Sequence, residues 1–305
     1  MLVKALKEEG VDVLFGYPGA CTIDISDELY KQSDIDIILP RHEQALVHEA
    51  DAYARTTGKV GVCLVTSGPG ATNLVTGLAT ANYDSVPLVC FTGQVARHLI
   101  GNDAFQEVDI VGITRSITKY GVTVRNREDL GRIIKEAFYI ARTGRPGPVL
   151  IDLPKDVMAE LGSAEYPKSV NIRGYKPNTS VHIGQLKRAL KMLQKAKKPL
   201  FLAGGGVIIS RAQEIFTQVV EKLRFRLLLL LWDVARFLPE TLCLSEILAC
   251  TVPMLQTWQS MNVISFSPSE HVSMTVSQAS SMSLHRMHRS STLILILLLF
   301  QKHPC

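Results

Sequence analysis

The sequence predicts an α/β protein, with a parallel-sheet domain over residues 1–160 followed by the start of a second α/β domain. Three observations carry this reading. Short apolar runs alternate with amphipathic helical segments from Leu2 to Leu153, the rhythm of strand–helix–strand units around a parallel sheet. Two of the runs, 60–66 and 87–92, are apolar almost throughout, as strands buried on both faces require. Glycine and proline turns such as Gly16-Tyr17-Pro18-Gly19 and Ser67-Gly68-Pro69-Gly70 follow strand-like runs and lead into helices.

Residues 2–9 read as an amphipathic helix, with Leu2, Ala5 and Leu6 on one side, closed by Gly10. Strands follow at 11–15 and 35–39, with a helix between them at 23–30 that exposes Asp24, Asp27 and Glu28. Arg41-His42-Glu43 opens a helix that runs to Thr57 and stops at Gly58. The strand 60–66 leads through its glycine turn into a helix over 71–82, and the strand 87–92 comes next. A helix over 127–142 buries Ile133, Ile134, Ala137 and Phe138, and the strand 149–153 ends at Pro154. Residues 159–180 are polar and carry Pro167 and Pro177, the pattern of a linker. A helix at 183–194, a strand at 199–203, the triplet Gly204-Gly205-Gly206 and a helix at 212–223 begin the second unit.

Composition narrows the function classes. The chain has 305 residues and a net charge of +5, and only Asp233, Glu240, Glu246 and Glu270 are acidic after Lys222. The basic balance therefore comes from an acid-poor tail and not from a nucleic-acid-binding patch. None of the six cysteines forms a C-x-x-C pair, and no His/Cys cluster has zinc spacing. Cys63 and Cys90 lie in strand-like runs, where reduced buried thiols fit a reducing cytosol. Lys4, Lys7, Glu8 and Glu9 interrupt any signal-peptide core, and the runs 227–232 and 293–300 fall far short of the roughly 20 residues of a membrane span. The expectation is a cytoplasmic protein with no nucleic-acid or membrane partner.

Glu43 stands at a helix start. One reading is a carboxylate that complements the helix dipole. The other is a proton relay in a dry pocket, where a carboxylic acid with a raised pKa holds a proton against a bound ligand. Gly19 with Ala20, and Gly68-Pro69-Gly70, permit close backbone approach to a ligand at the carboxyl ends of strands. The latter is not a Walker loop, since no Lys-Ser or Lys-Thr follows, and Gly204-Gly205-Gly206 lacks the G-x-G-x-x-G spacing.

Taken jointly the motifs are more specific. Gly16-Tyr17-Pro18-Gly19, Pro40-Arg41-His42-Glu43-Gln44, Thr66 to Asn73, Asp84-Ser85-Val86-Pro87, Thr92-Gly93-Gln94-Val95, Asp103-Ala104-Phe105-Gln106-Glu107, Thr114 to Lys119, Gly144 to Pro148 and Leu153-Pro154-Lys155-Asp156 stand in this order. In order and spacing the run from Leu2 to Leu223 resembles the catalytic subunit of acetolactate synthase, a thiamine diphosphate enzyme. The resemblance implies that Glu43 is the cofactor-activating Glu. It places Tyr17, Pro18, Gly19, Ala20 and Gln94 at the cofactor, and Phe105, Gln106 and Lys155 along the substrate channel. Arg145 and Gly204, Gly205 and Gly206 match positions contacting an FAD that is not used for redox. It implies small 2-oxo acid substrates, pyruvate and 2-oxobutyrate, in a homodimer or tetramer with a possible small regulatory subunit. Gly19-Ala20-Cys21 stands where the family often has Gly-Gly-Ala, and the chain begins a few residues late.

After Gly206 there is no glycine, against an average near 7 per hundred. A one-base slip near Leu223 accounts for this. Reading each codon one base earlier permits acetolactate synthase middle-domain sequence across 224–238, 248–253 and 269–280. Two of its residues are forced by single codons: a Gly by Trp232 before Asp233, and an Asp by Met274 before Thr275. The implied organisation is a pyrimidine-binding domain over 1–160, a linker at 161–182, the start of a central FAD-associated domain at 183–223, and an aberrant, poorly folded tail over 224–305. The family's third domain holds Mg²⁺ and the diphosphate through a Gly-Asp-Gly motif, and this chain contains no Gly-Asp-Gly. It carries no metal ligands of its own on this reading.

The expected parent activity is condensation of two pyruvates, or of pyruvate and 2-oxobutyrate, with loss of CO₂, at the entry to branched-chain amino acid synthesis. The chain alone is expected to be inactive. The alternatives are another thiamine enzyme of the pyruvate oxidase or decarboxylase type, and a non-catalytic fragment that binds intact subunits.

Overall fold

The computed structural model describes residues 1–178, 180–197 and 200–223, together with the strand segments 226–230, 246–248, 263–266 and 274–277. They form two compact units, Met1–Pro177 and Asn178–Cys305.

The first unit is a doubly wound α/β domain. Its strands are β1 (Val13–Gly16), β2 (Asp36–Ile38), β3 (Gly61–Val65), β4 (Leu88–Gln94), β5 (Tyr120–Thr123) and β6 (Pro148–Pro154). They form one sheet in the order β2-β1-β3-β4-β6-β5, and every pair is parallel. The helices are α1 (Leu2–Glu8), α2 (Ile23–Tyr30), α3 (Glu43–Thr57), α4 (Pro69–Thr72), α5 (Val75–Asp84), α6 (Ile110–Thr114), α7 (Leu130–Arg142) and α8 (Lys155–Ala159).

Successive side chains of the central strands point to opposite faces, so each strand feeds two cores. Leu64 and Phe91 pack with Leu6, Leu29, Ile134 and Phe138 on the side of α1, α2 and α7. Cys63, Val65 and Cys90 pack with Leu46, Val47, Leu74 and Leu78 on the side of α3 and α5. That two-sided demand is why β3, β4 and β6 read as continuous apolar runs and are buried along their whole length. Cys63 and Cys90 are free thiols opposite one another on β3 and β4, and burial pushes the Cys63 thiol well up.

Several elements follow the sequence closely. α3 starts at Glu43, with the His42 side chain accepting from the Gln44 N–H, and ends at Gly58, whose φ of 72° suits a residue without a Cβ. Others differ. The helix expected over 71–82 is two pieces, because the chain tightens at Leu74, whose N–H bonds the Ala71 carbonyl. β5 has no counterpart in the sequence reading. It is a half-buried edge strand of mixed character, without the apolar run that marks its neighbours.

The segment read as a linker packs on the first unit. Tyr166, Ile172 and Tyr175 lie against its core. Tyr166 donates to Glu9 Oε1 at 2.8 Å, and Tyr175 donates to the Thr143 carbonyl at 2.7 Å. Lys119 Nζ lies 5.3 Å from the centre of the Tyr175 ring. Aromatic residues spaced among polar ones gave no periodic signal.

The second unit contains α9 (Ile183–Lys195), β7 (Leu200–Ala203), α10 (Gly205–Ile209), α11 (Gln213–Leu223), β8 (Arg226–Leu230) and β9 (Glu246–Leu248). β7, β8 and β9 form a parallel sheet. β10 (Val263–Phe266) and β11 (Met274–Ser277) are an antiparallel pair. The expectations for the tail, including the forced codon at Trp232, fall for most of its length outside the described residues. No helix among the described residues is long and apolar enough to cross a membrane.

Candidate functional site

The carboxyl ends of β1, β3, β4 and β6 meet along one edge of the sheet, the place where open α/β sheets take ligands. The turn after β1 brings Tyr17, Pro18, Gly19 and Ala20 there. It is tied down by the Tyr17 N–H on the Leu64 carbonyl at 2.9 Å and the Thr22 N–H on the Gly19 carbonyl at 3.0 Å. Pro18 and Ala20 are exposed, while Tyr17 is half-buried against the α3 side of the core.

Gly19 has no room for a side chain. A Cβ there would lie 2.5 Å from Thr66 Cβ. Thr66 also fills the space beside Gly70, where a Cβ would come within 2.8 Å of Thr66 Cγ2 and 3.4 Å of Glu43 Oε1. Glu43 is half-buried at the first position of α3, and Asn73 Nδ2 donates to its Oε2 at 2.9 Å. Gly19, Thr66, Gly70, Glu43 and Asn73 are thus one contiguous cluster. Thr66 Oγ1 is buried there without a hydrogen-bond partner among the described residues.

This arrangement suits an aminopyrimidine. Gly19 and Gly70 pack their bare backbone against Thr66, and Glu43 presents one oxygen while Asn73 fixes the other. The unpartnered Thr66 hydroxyl adds a polar group at the same place. The dry pocket expected around Glu43 is not formed by these residues alone, since Glu43 is only half-buried.

The next layer is the loop from Val95 to Asp109. Asp103 and Gln106 have φ of 52° and 59°, a conformation uncommon for residues with a side chain. Glu107 folds this loop, accepting from the N–H groups of Gly101 and Ala104, and those two bonds hold its carboxyl below the ordinary range. Gln106 backbone lies directly on Gly68, where a Cβ would meet the Gln106 carbonyl oxygen at 2.7 Å. Phe105, between the two strained residues, is 88 % exposed. Lys155 is exposed at the start of α8, beyond the end of β6. Next to it Asp156 receives the Arg97 guanidinium at 2.7 Å and the Arg97 N–H at 3.0 Å.

Two residues expected at cofactors are engaged inside the fold. Gln94 is buried, and its Nε2 donates to the Val108 carbonyl at 2.8 Å and to Asp152 Oδ2 at 3.2 Å, while its Oε1 accepts from the Val95 N–H. Arg145 lies by the amino end of β6, at the opposite edge of the sheet from Glu43. Its guanidinium donates to Ser85 Oγ at 2.7 Å and the Tyr83 carbonyl at 2.8 Å, which satisfies the carbonyl end of α5. These bonds use Nε and Nη2, and the FAD contact expected of Arg145 remains an expectation. Gly204 is the N-cap of α10, which Gly205 and Gly206 open, in the second unit.

Sequence reasoning missed Asn73, Thr66 and Asp152. Asn73 and Thr66 are the polar ends of the 66–73 motif, so the signal was present as a motif but not as roles. Asp152, in the apolar run of β6, is only 1 % exposed. Burial pushes its carboxyl up to about 6, against hydrogen bonds from Thr92, Gln94 and Thr123 that pull it down. Among the described residues no group of three or more His, Cys, Asp or Glu side chains is arranged to hold a metal ion.

Residues 1–113 match the family model of the thiamine pyrophosphate enzyme N-terminal TPP binding domain. The chain is 52% identical over 225 residues to the acetolactate synthase large subunit of Buchnera aphidicola subsp. Schizaphis graminum, and equally so to the isozyme 3 large subunit of Escherichia coli K12. In both cases the match covers 73% of this chain and 39% of the relative, so the chain spans about two fifths of their length. Among solved structures, the thiamine diphosphate-dependent 4-hydroxybenzoylformate decarboxylase of Rhodococcus jostii RHA1 superposes with a TM-score of 0.66 and 25% sequence identity, over 74% of this chain and 43% of that one.

Proposed function

We propose, from the thiamine pyrophosphate enzyme N-terminal domain that residues 1–113 match, that this chain supplies the pyrimidine-activating half of an acetolactate synthase active site. The observation that carries the reading is the Glu43 carboxylate, held by Asn73 at 2.9 Å beside the bare backbone of Gly70. Thiamine diphosphate, when bound, supplies a nucleophilic carbon that adds to a 2-oxo acid and takes up the electrons freed with CO₂. Glu43 Oε1 would hold a proton at N1′ of the pyrimidine, and the Asn73 bond would keep the carboxylate turned to that task. Gly19, Gly70 and the Thr66 hydroxyl would shape the wall against which the ring lies. Phe105, Gln106 and Lys155 would face the 2-oxo acids, pyruvate and 2-oxobutyrate.

Identity near one half to acetolactate synthase subunits, against one quarter to the decarboxylase, favours carboligation over simple decarboxylation. The remaining parts of the reading rest on the resemblance of the motifs alone: homodimeric or tetrameric assembly, a regulatory subunit, Mg²⁺ at the diphosphate, a structural FAD, and a place in branched-chain amino acid synthesis in the cytoplasm. The domain limits of 1–160, 161–182, 183–223 and 224–305, and the slipped frame of the last segment, belong to the same proposal.

The test is complementation. A full-length acetolactate synthase large subunit whose activating glutamate is changed to Gln is mixed with this chain and given pyruvate, thiamine diphosphate and Mg²⁺. Acetolactate should form with the wild-type chain and not with the Glu43→Gln chain, and the chain by itself should form none. A wild-type chain that co-purifies with the mutant subunit and restores nothing overturns the reading. Acetolactate made by the chain alone overturns its expected inactivity.

A further inference from the structure

Asp152 has no part in the chemistry above, yet on β6 it is only 1 % exposed. No lysine, arginine or histidine pairs with it among the described residues. Instead three neutral donors converge on it. Thr92 Oγ1 reaches Oδ1 at 2.8 Å, while Gln94 Nε2 and Thr123 Oγ1 reach Oδ2 at 3.2 and 3.1 Å. These come from β4 and β5, the neighbours of β6 on either side.

The network does not end there. The same Gln94 Nε2 donates to the Val108 carbonyl at 2.8 Å. Val108 is next to Glu107, whose carboxylate gathers the N–H groups of Gly101 and Ala104. Gln106, on the other side of Glu107, lies on Gly68, the residue that opens the turn leading to Gly70 and Glu43. A continuous path of hydrogen bonds and one backbone contact therefore runs from the interior of the sheet to the loop over the site.

We propose that Asp152 is a positioning residue. Its carboxylate fixes the Gln94 side chain, which holds the Val108 carbonyl and thereby keeps the loop of Gly101 to Val108, with Phe105 and Gln106, seated on the Gly68 turn. The role of the seated loop in catalysis rests on the thiamine reading above, whereas the link from Asp152 to the loop does not. A buried carboxylate without a cation is costly to keep. A carboxamide or hydroxyl could join β4 to β6, but an acceptor with two strong oxygens is what lets Thr92, Thr123 and Gln94 be held at once. Gln94 orientation needs this, because its Oε1 is already engaged by the Val95 N–H, leaving only Nε2 to bridge Asp152 and Val108.

Amide hydrogen exchange on the full chain, without cofactor, tests the link. The readout is the loop amides of Gly101, Ala104 and Glu107, which are hydrogen-bonded within the loop, compared with the β3 amides of the sheet interior. Asp152→Ala should speed loop exchange about tenfold or more beyond any change in β3, the loss of a hydrogen bond to a charged group being worth one to two decades. Gln94→Met should do the same, and the double variant should add little to either single one, because both cut one path. Asp152→Asn keeps an oxygen for the Gln94 N–H and should restore most of the protection, which a loss of general packing would not predict. Equal acceleration of loop and β3 amides, or full additivity of the two variants, overturns the proposal. Should Asp152→Ala fail to fold, Gln94→Met against Asp152→Asn decides it: unchanged loop exchange in Gln94→Met refutes the link. None of these outcomes depends on whether the site binds thiamine diphosphate, so failure here leaves the complementation result to stand or fall by itself.

Discussion

Gly68→Ala is the sharpest single perturbation the site offers, because two separate penalties meet there. The first is conformational. Gly68 has φ 59° and ψ −120°, a region that residues with a Cβ occupy only under strain, at about 1–3 kcal/mol. The second is steric. The added methyl would lie 2.7 Å from the Gln106 carbonyl oxygen and 3.0 Å from Gln106 Cα, well inside the ~3.5 Å of a comfortable contact. Overpacking of this kind costs about 1–3 kcal/mol. Gln106 can relieve it only by lifting the loop from the turn, so the steric share cannot exceed what that docking is worth. The conformational share has no such escape. Gly10→Ala gives a baseline without the steric share: Gly10 has φ 73° with nothing within 4 Å of the added methyl. Urea unfolding should show Gly68→Ala losing about 1–3 kcal/mol more than Gly10→Ala, with an unchanged m value. Equal losses in the two variants would mean that the Gln106 contact exerts no force, and the account of the loop as seated on this turn would fail.

Two further outcomes follow from the same geometry. The Asp152 carboxyl is pushed up to about 6 in the folded chain, above its value near 3.9 in an unfolded one. The native state therefore binds the proton more tightly, and stability falls as pH rises through the window from about 4 to 6. The charge of the exposed Asp109 carboxylate acts in the same direction. Between pH 7 and pH 5 the wild-type chain should gain about 1 kcal/mol relative to Asp152→Asn, of a full span near 3 kcal/mol; parallel stability curves for the two proteins, measured in urea across this range, would contradict it. Arg145→Ala should cost about 1 kcal/mol, since the guanidinium satisfies the Tyr83 carbonyl and Ser85 hydroxyl at the end of α5. Unaltered stability in that variant would mean that these bonds do not hold the end of α5.

What the sequence revealed and what it hid divide along a physical line. β3, β4 and β6 are legible because each must satisfy two cores at once and is apolar at nearly every position. α3 is legible because its start and stop carry side-chain and glycine signals, from His42 to Gly58. β5 is not, because an edge strand serves only one neighbour and tolerates Gly121 and Thr123. Nor is the seating of 160–177, which depends on Tyr166 and Tyr175 meeting Glu9 and Lys119 from more than 50 residues away in the chain. The same holds at the site. Glu43 and the glycines around it are marked by spacing, whereas the engagement of Gln94 with Asp152 is a tertiary fact. The sequence places Gln94 at the end of a strand, and only the tertiary structure shows what its donors reach.

The bonding at Glu43 bears on how the half-site works. Every group that orients Glu43 is local: α3 fixes its backbone, Asn73 fixes one oxygen, and Gly70 leaves the other open. Orientation is thus complete within one chain. Exclusion of water is not, because Glu43 as a residue remains half-buried, and a proton relay against a ring nitrogen works best in a dry site. On the proposed reading the two requirements are met by different bodies: this chain would align the carboxylate, and whatever covers the edge of the sheet would dry it. A covering surface would rest on the parts that stand proud there, foremost Phe105, exposed on a loop too strained to be an idle connection. An uncovered Glu43 that is already aligned explains why the complementation assay, and not the isolated chain, is the place where its chemistry should become visible.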